Sequence, residues 1–205
     1  MEPAQWLSLA AVCLLGAMSP GPSMAVVLHA SMHGGRGAGI AAAVAHGIGV
    51  GVYGLLTVSG LAVVVTRSPA VFLGIQLVGA AYLTFLGFKA LRSTGAVQLE
   101  AQSSGNYRGG AAASGFLVAF LNPNLAVFML ALFAQFLRPE APLAERALLA
   151  ATVWFIDTLW YLFIALLVSH ALFYQRLRAR AGLIDRCFGV ILILLAASVA
   201  YRALA

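Results

Sequence analysis

Six stretches of this chain are long and apolar enough to cross a bilayer, at about residues 5–31, 39–66, 69–91, 110–137, 144–172 and 184–204. A spanning helix needs ~20 mostly apolar residues. Backbone in hydrocarbon must also satisfy its own hydrogen bonds, so runs of this length are read as helices. With 62% hydrophobic residues, 9% charged residues and a mean hydropathy of +0.98, the chain has too little polar surface to coat a soluble globule. The expected fold is an all-α integral membrane protein of six transmembrane helices. The start "MEPAQW" carries Glu2 and no Lys or Arg, which lacks the positive region of a secretory signal. Residues 5–31 are therefore read as a retained first helix.

Connections between the runs are short, apart from a Ser-, Gly- and Gln-rich stretch over 92–110, which reads as a flexible surface loop. This divides one transporter-sized domain, 1–205, into halves of about 1–92 and 110–205 joined by a loop over 93–109. Arg36, Lys89, Arg92, Arg108, Arg176, Arg178, Arg180 and Arg186 fall on one side of the membrane, and Arg67, Arg138, Arg146 and Arg202 on the other. The positive-inside bias then puts the first set in the cytoplasm and both termini outside. The net charge of +6 is accounted for by these short loops, with no basic run able to track a nucleic acid. Cys13 and Cys187 lie in apolar runs and read as small core or lipid-facing residues. Gly47 and Gly51 form a GxxxG pair in the second run, and Gly74, Gly79, Ala80 and Ala81 lie in the third. Small residues let helices approach closely in lipid. They serve packing inside the bundle or a homodimer contact.

Two of the runs are interrupted. "MSPGPSM" places Pro20, Gly21 and Pro22 inside the first, and "FLNPNLAVF" places Asn122, Pro123 and Asn124 inside the fourth. Proline removes a backbone donor and clashes with the preceding turn. Pro123 follows Pro22 by 101 positions and Pro20 by 103, about half the chain. Residues 79–92, "GAAYLTFLGFKALR", can also be laid over 189–202, "GVILILLAASVAYR". A unit of three helices repeated in tandem must insert in opposite orientations. That is the plan of inverted-repeat transporters, which bind substrate near the midplane between broken helices. A kink serving only packing would not predict a partner.

Asp157 is the one acidic residue well inside a predicted span. Glu2, Glu100, Glu140, Glu145 and Asp185 are placed at termini, in loops or at helix ends. A carboxyl group in a membrane costs at least ~2.5 kcal/mol to insert and marks a functional candidate by default. It can take up and release a proton, or it can simply pair with a donor on another helix. Trp154, Trp160 and Tyr161 lie on or near its face at helical spacing. Asn122 and Asn124 can bind a zwitterion or fill the polar gap that the break creates. Ser19 and Ser23 carry the same two possibilities, including a bond back to a carbonyl one turn earlier. His29 and His33 have i, i+4 spacing and His46 follows, a weak metal signal without further ligands. No nucleotide-binding loop or nucleophile–base set is present, so neither catalysis nor a cofactor is expected and transport must draw on an ion gradient.

Taken together, "MSPGPSM", "NPN", "GAAYLTFLGFKALR" and Asp157 before an aromatic patch resemble the LysE/RhtB family of amino-acid exporters, over essentially the whole chain. The resemblance implies export of amino acids or their derivatives from the bacterial cytoplasm, in exchange for protons. Ser19, Pro20, Gly21 and Pro22 match the family's first motif, Asn122 and Pro123 the second, and Asp157 its helix 5 acid. The family often carries Lys where this chain has Asn124, which removes one counter-charge for the acid or for a substrate carboxylate.

The expected function is thus a proton-driven inner-membrane exporter of small neutral amino acids, of threonine, homoserine or leucine type. Its partners are the amino acid, the proton and membrane lipid. Ser19, Pro20, Gly21, Pro22, Ser23, Asn122, Pro123, Asn124, Asp157 and Tyr161 are the expected substrate site, with Asp157 as the proton carrier. The alternative is a small metal-cation exporter or channel using His29, His33, His46 and Asp157. A membrane-embedded enzyme or scaffold is disfavoured by the lack of paired catalytic groups.

Overall fold

A computed structural model describes residues 2–93, 110–138, 140–167 and 171–204. The described residues form seven helices and no strand. These are α1 (Pro3–Met18), α2 (Pro22–Arg67), α3 (Pro69–Leu91), α4 (Gly110–Phe120), α5 (Pro123–Phe136), α6 (Leu143–Leu167) and α7 (Ala171–Leu204). Of the expected 93–109 loop only Ser93 is described, and Arg108 lies outside the described residues. Four helices contain windows long and apolar enough to cross a membrane, and the bent pair α4–α5 supplies a fifth. α1 is apolar but shorter.

Both sequence interruptions are real breaks. Ser19 caps α1 in an extended conformation (φ −63°, ψ 130°), as a residue before proline prefers. Its N–H still reaches Leu15 O at 2.9 Å. Pro22 has no N–H for the carbonyl of Met18, so the helix cannot run through and restarts with Pro22 at its first position. The second break repeats the device. Asn122 is extended (φ −83°, ψ 103°) and Pro123 opens α5 at its first position. Here the axes of α4 and α5 meet at 52°.

With 46 residues, α2 would be about 69 Å long if straight, more than twice the hydrocarbon thickness. It turns at Gly35 (φ 76°, ψ −179°), a region open essentially to glycine alone. The segment before it, 22–34, buries Met24, Val27 and Leu28 in one cluster with Tyr161 and Ile164. The segment after it, 36–67, packs against α4 and α6. Arg36 stands exposed at this turn.

Small residues set the packing of the second segment. A Cβ at Gly115 on α4 would collide with the carbonyl of Ala42, so the two backbones touch directly. On another face Gly47 abuts Thr158, and a Cβ at Gly51 would lie 3.1 Å from the Trp154 ring. The GxxxG pair therefore packs within the chain. α3 packs on α7, where Cβ atoms at Gly87 and Gly189 would each meet the other's carbonyl oxygen, at 2.9 and 2.6 Å. Gln76 Nε2 donates to Ala134 O (2.7 Å) and Gln135 Nε2 to Gln76 O (3.1 Å), tying α3 to α5.

One expectation needs correcting. α7 does not begin near residue 184 but runs continuously from Ala171, so Asp185 lies within a helix rather than at its end. Its side chain is turned inward, leaving the residue 4% exposed. Asp157 is therefore not the only acid set inside an apolar helix: the candidate span of α7 covers Ala179–Val199.

Candidate functional site

The two breaks open onto one cavity of about 380 Å³, within the size range of small-molecule sites. Its wall carries Ser19, Pro20, Gly21, Pro22 and Ser23 from the first break, Asn122 and Asn124 from the second, and Asp157 and Tyr161 from α6. Of the ten residues expected from sequence, only Pro123 is not on the wall; it starts α5 just beside it. The helices that start at Pro22 and Pro123 bring the positive ends of their dipoles to this region, which suits an anionic group, although the first N–H groups of the Pro123 helix are already capped by the Asn122 side chain.

Asp157 is 14% exposed and Oδ2 stands 2.9 Å from Nδ1 of His46 on α2, a residue that is 1% exposed and also reaches the cavity. The Tyr161 ring packs edge-on against the imidazole at 4.8 Å, one turn after Asp157 on the same helix. Nε2 of His46 is buried and has no hydrogen-bond partner among the described residues. Tyr161 and Ser23 both line the cavity, one from the acid's helix and the other from the first break. Sequence reasoning weighed His46 only as a metal ligand. The signal for its pairing was the statement that a membrane acid needs a donor on another helix.

Asn122 is committed locally. Its Oδ1 accepts from the N–H groups of Asn124 (3.0 Å) and Leu125 (3.2 Å), capping α5 and satisfying groups the break exposes. This is the gap-filling role, and it leaves the amide Nδ2 of Asn122 and the side chain of Asn124 as the donors on that wall. Ser19 does not bond back along its helix. Its hydroxyl donates to Oδ1 of Asp185 at 2.6 Å, and the Ser93 hydroxyl donates to Oδ2 of the same carboxylate at 2.5 Å.

Asp185 and Lys89 are the residues that sequence reasoning missed, since both were counted among loops and helix ends. Both line the cavity. Lys89 brings a cation to the wall from α3. Leu86, Leu125, Phe128, Met129 and Phe188 give the cavity an apolar wall.

The histidine pair is elsewhere. His29 and His33 stack on each other with centroids 4.2 Å apart, His33 is exposed, and neither lines the cavity. Among the described residues no three His, Cys, Asp or Glu side chains could share one ion. Outside the cavity, Arg138 in the α5–α6 connection forms a two-pronged pair with the buried Glu145 at 3.1 and 2.6 Å, and this carboxylate holds the guanidinium above its ordinary range.

A family model described as LysE type translocator matches residues 14–203. The homoserine/homoserine lactone efflux protein of Salmonella typhimurium is 29% identical over 203 residues, covering 95% of each chain. The protein of the same description from Salmonella typhi is 30% identical over 205 residues, again covering 95% of each. The membrane protein YrhP of Bacillus subtilis is 24% identical, with 85% of this chain and 88% of that one covered. No solved structure matches the chain.

Proposed function

Because the chain belongs to the LysE family of translocators, we propose that this multi-pass membrane protein exports small amino acids, of homoserine or threonine type, from the bacterial cytoplasm in exchange for protons. The observation that carries the reading is the convergence of both broken helices and of Asp157 on one cavity. A kink made only for packing gives no reason for its partner to open onto the same space. Relatives described as homoserine/homoserine lactone efflux proteins, matched almost end to end, supply the substrate type.

In this reading the protein crosses the inner membrane six times, with both termini in the periplasm. The crossings are α1 with 22–34, then 36–67, α3, α4 with α5, α6, and α7. The halves form two inverted repeats. Pro22 and Pro123 open equivalent half-helices 101 positions apart, and Gly87 and Gly189, which meet across α3 and α7, are 102 apart. That offset is nearer the proline spacing than the 110 of the overlay of 79–92 on 189–202. The half-helix N-termini at Pro22 and Pro123 receive the substrate carboxylate. The aliphatic part lies on the wall of Phe128, Met129 and Phe188. Asp157 carries the proton, and His46 holds its carboxylate in place.

One proton charge crossing 100 mV is worth roughly 2.3 kcal/mol, about 50-fold in concentration ratio, so exchange for one proton sustains useful export. The test is efflux of labelled L-homoserine and L-threonine from loaded vesicles with an imposed proton gradient. Wild type should release them faster with the gradient than without it. Release that ignores the gradient would overturn the coupling, and no release of any labelled amino acid would overturn the function.

A further inference from the structure

The cavity holds two carboxylates in different situations. Asp157 faces a side chain able to carry positive charge, His46. Asp185 is more deeply buried, and both oxygens of its carboxylate are held by neutral hydroxyls, Ser19 on one and Ser93 on the other. No ion pair joins Asp185 to a cation among the described residues, and the cavity's own cation, Lys89, sits on α3 one turn before Ser93. Taking a carboxylate out of water is costly, and neutral hydrogen bonds compensate for less of it than a cationic donor does. A group of this kind at a cavity wall is prepared for a cation that arrives from the cavity.

We propose that Asp185 is the receptor for the substrate's primary ammonium, which displaces the hydroxyls of Ser19 and Ser93 when it binds. An ammonium brings three donors and a full charge, so it outbids two hydroxyls at one carboxylate. The assignment rests on the exporter reading and divides the labour within it: Asp185 takes the ammonium, leaving Asp157 with His46 for the proton. Lys89, on the same wall, then faces the carboxylate end of a zwitterion. Because Ser19 belongs to the break between α1 and α2, and Ser93 follows α3, releasing both hydroxyls removes one polar tie from each of these walls to α7. Substrate binding at Asp185 thereby acts directly on a residue of the first break, Ser19.

The two serines make the idea testable in opposite directions. Binding to the purified full-length protein is read as thermal stabilisation by L-homoserine, L-threonine, L-lysine, n-propylammonium and N-acetyl-L-homoserine, since a ligand of the folded state raises its melting temperature. The ammonium compounds should stabilise the wild type, and N-acetyl-L-homoserine should not. Asp185→Asn should raise the concentration of each ammonium compound needed for half the effect by roughly ten- to hundred-fold, the value of a charge-assisted bond. Ser19→Ala removes a competitor for the carboxylate and should lower that concentration, whereas a serine with a merely structural role would raise it. The proposal is overturned if Asp185→Asn binds the ammonium compounds as wild type does, if Ser19→Ala weakens them, or if no ammonium compound stabilises the wild type. Vesicle efflux is scored separately. Stabilisation without any efflux leaves the ammonium site standing and removes the exporter reading, and efflux with unchanged Asp185→Asn binding does the reverse.

Discussion

Nδ1 of His46 on α2 stands 2.9 Å from Oδ2 of Asp157 on α6, so residues 111 positions apart form a partly buried pair at the wall of the cavity. The groups around them are Tyr161 from α6 and Cys13 from α1, with Lys89 and Asp185 lining the same space from α3 and α7. The protonation state of either side chain decides what the other can donate or accept across this contact.

Asp157→Asn keeps the shape and one acceptor for His46 but cannot release a proton. Gradient-driven efflux should fall by about ten-fold or more, the equivalent of one charged hydrogen bond, and its dependence on external pH should flatten. His46→Gln should keep transport but displace its pH profile. Normal, pH-dependent transport by Asp157→Asn would remove the acid from the proton role.

Pro20→Ala/Pro22→Ala restores the N–H groups that a continuous helix needs. Each interior proline costs a helix about 3 kcal/mol, so their removal should let α1 join α2 and close the first break. The doubly substituted protein should insert and show an unchanged or higher melting temperature, yet lose most of its efflux. If it transports like wild type, the interruption is only a packing kink.

Gly115→Val tests the contact between α4 and α2. The obstacle is the backbone carbonyl of Ala42, which cannot move aside by a rotamer change. Overpacking should cost about 3 kcal/mol or more, read as a marked drop in melting temperature in detergent. Gly60→Val, where nothing lies within 4 Å of a built Cβ, serves as the control and should stay near wild type.

Gly35→Ala separates backbone strain from crowding, because a Cβ there meets no atom within 4 Å while φ is 76°. A strained conformation of this kind costs about 1–3 kcal/mol, so the melting temperature should fall even though nothing clashes. Gly37→Ala, equally open but without a positive φ, should have much less effect.

The positions of both breaks were legible because proline chemistry is local. Pro22 and Pro123 each deny an N–H to the turn before them wherever the chain goes next. The apolar runs were legible for a similar reason, since length in hydrocarbon is counted along one helix. Asp185 was misplaced because the Arg176–Arg180 stretch before it reads as a loop, and only packing against α1 and α3 shows a helix continuing through it.

By itself, then, the sequence determined that the protein is helical, membrane-embedded, interrupted at Ser19–Pro22 and Asn122–Pro123, and of the LysE kind. Tertiary structure alone decided which polar groups share the cavity. The partners of Asp157 and Asp185 lie at least 92 positions away in sequence. Which side chains meet across such distances depends on how each helix is rotated and how closely it approaches its neighbours. That is set jointly by many small-residue contacts, such as Gly115 on Ala42 and Gly87 on Gly189, and by no single segment.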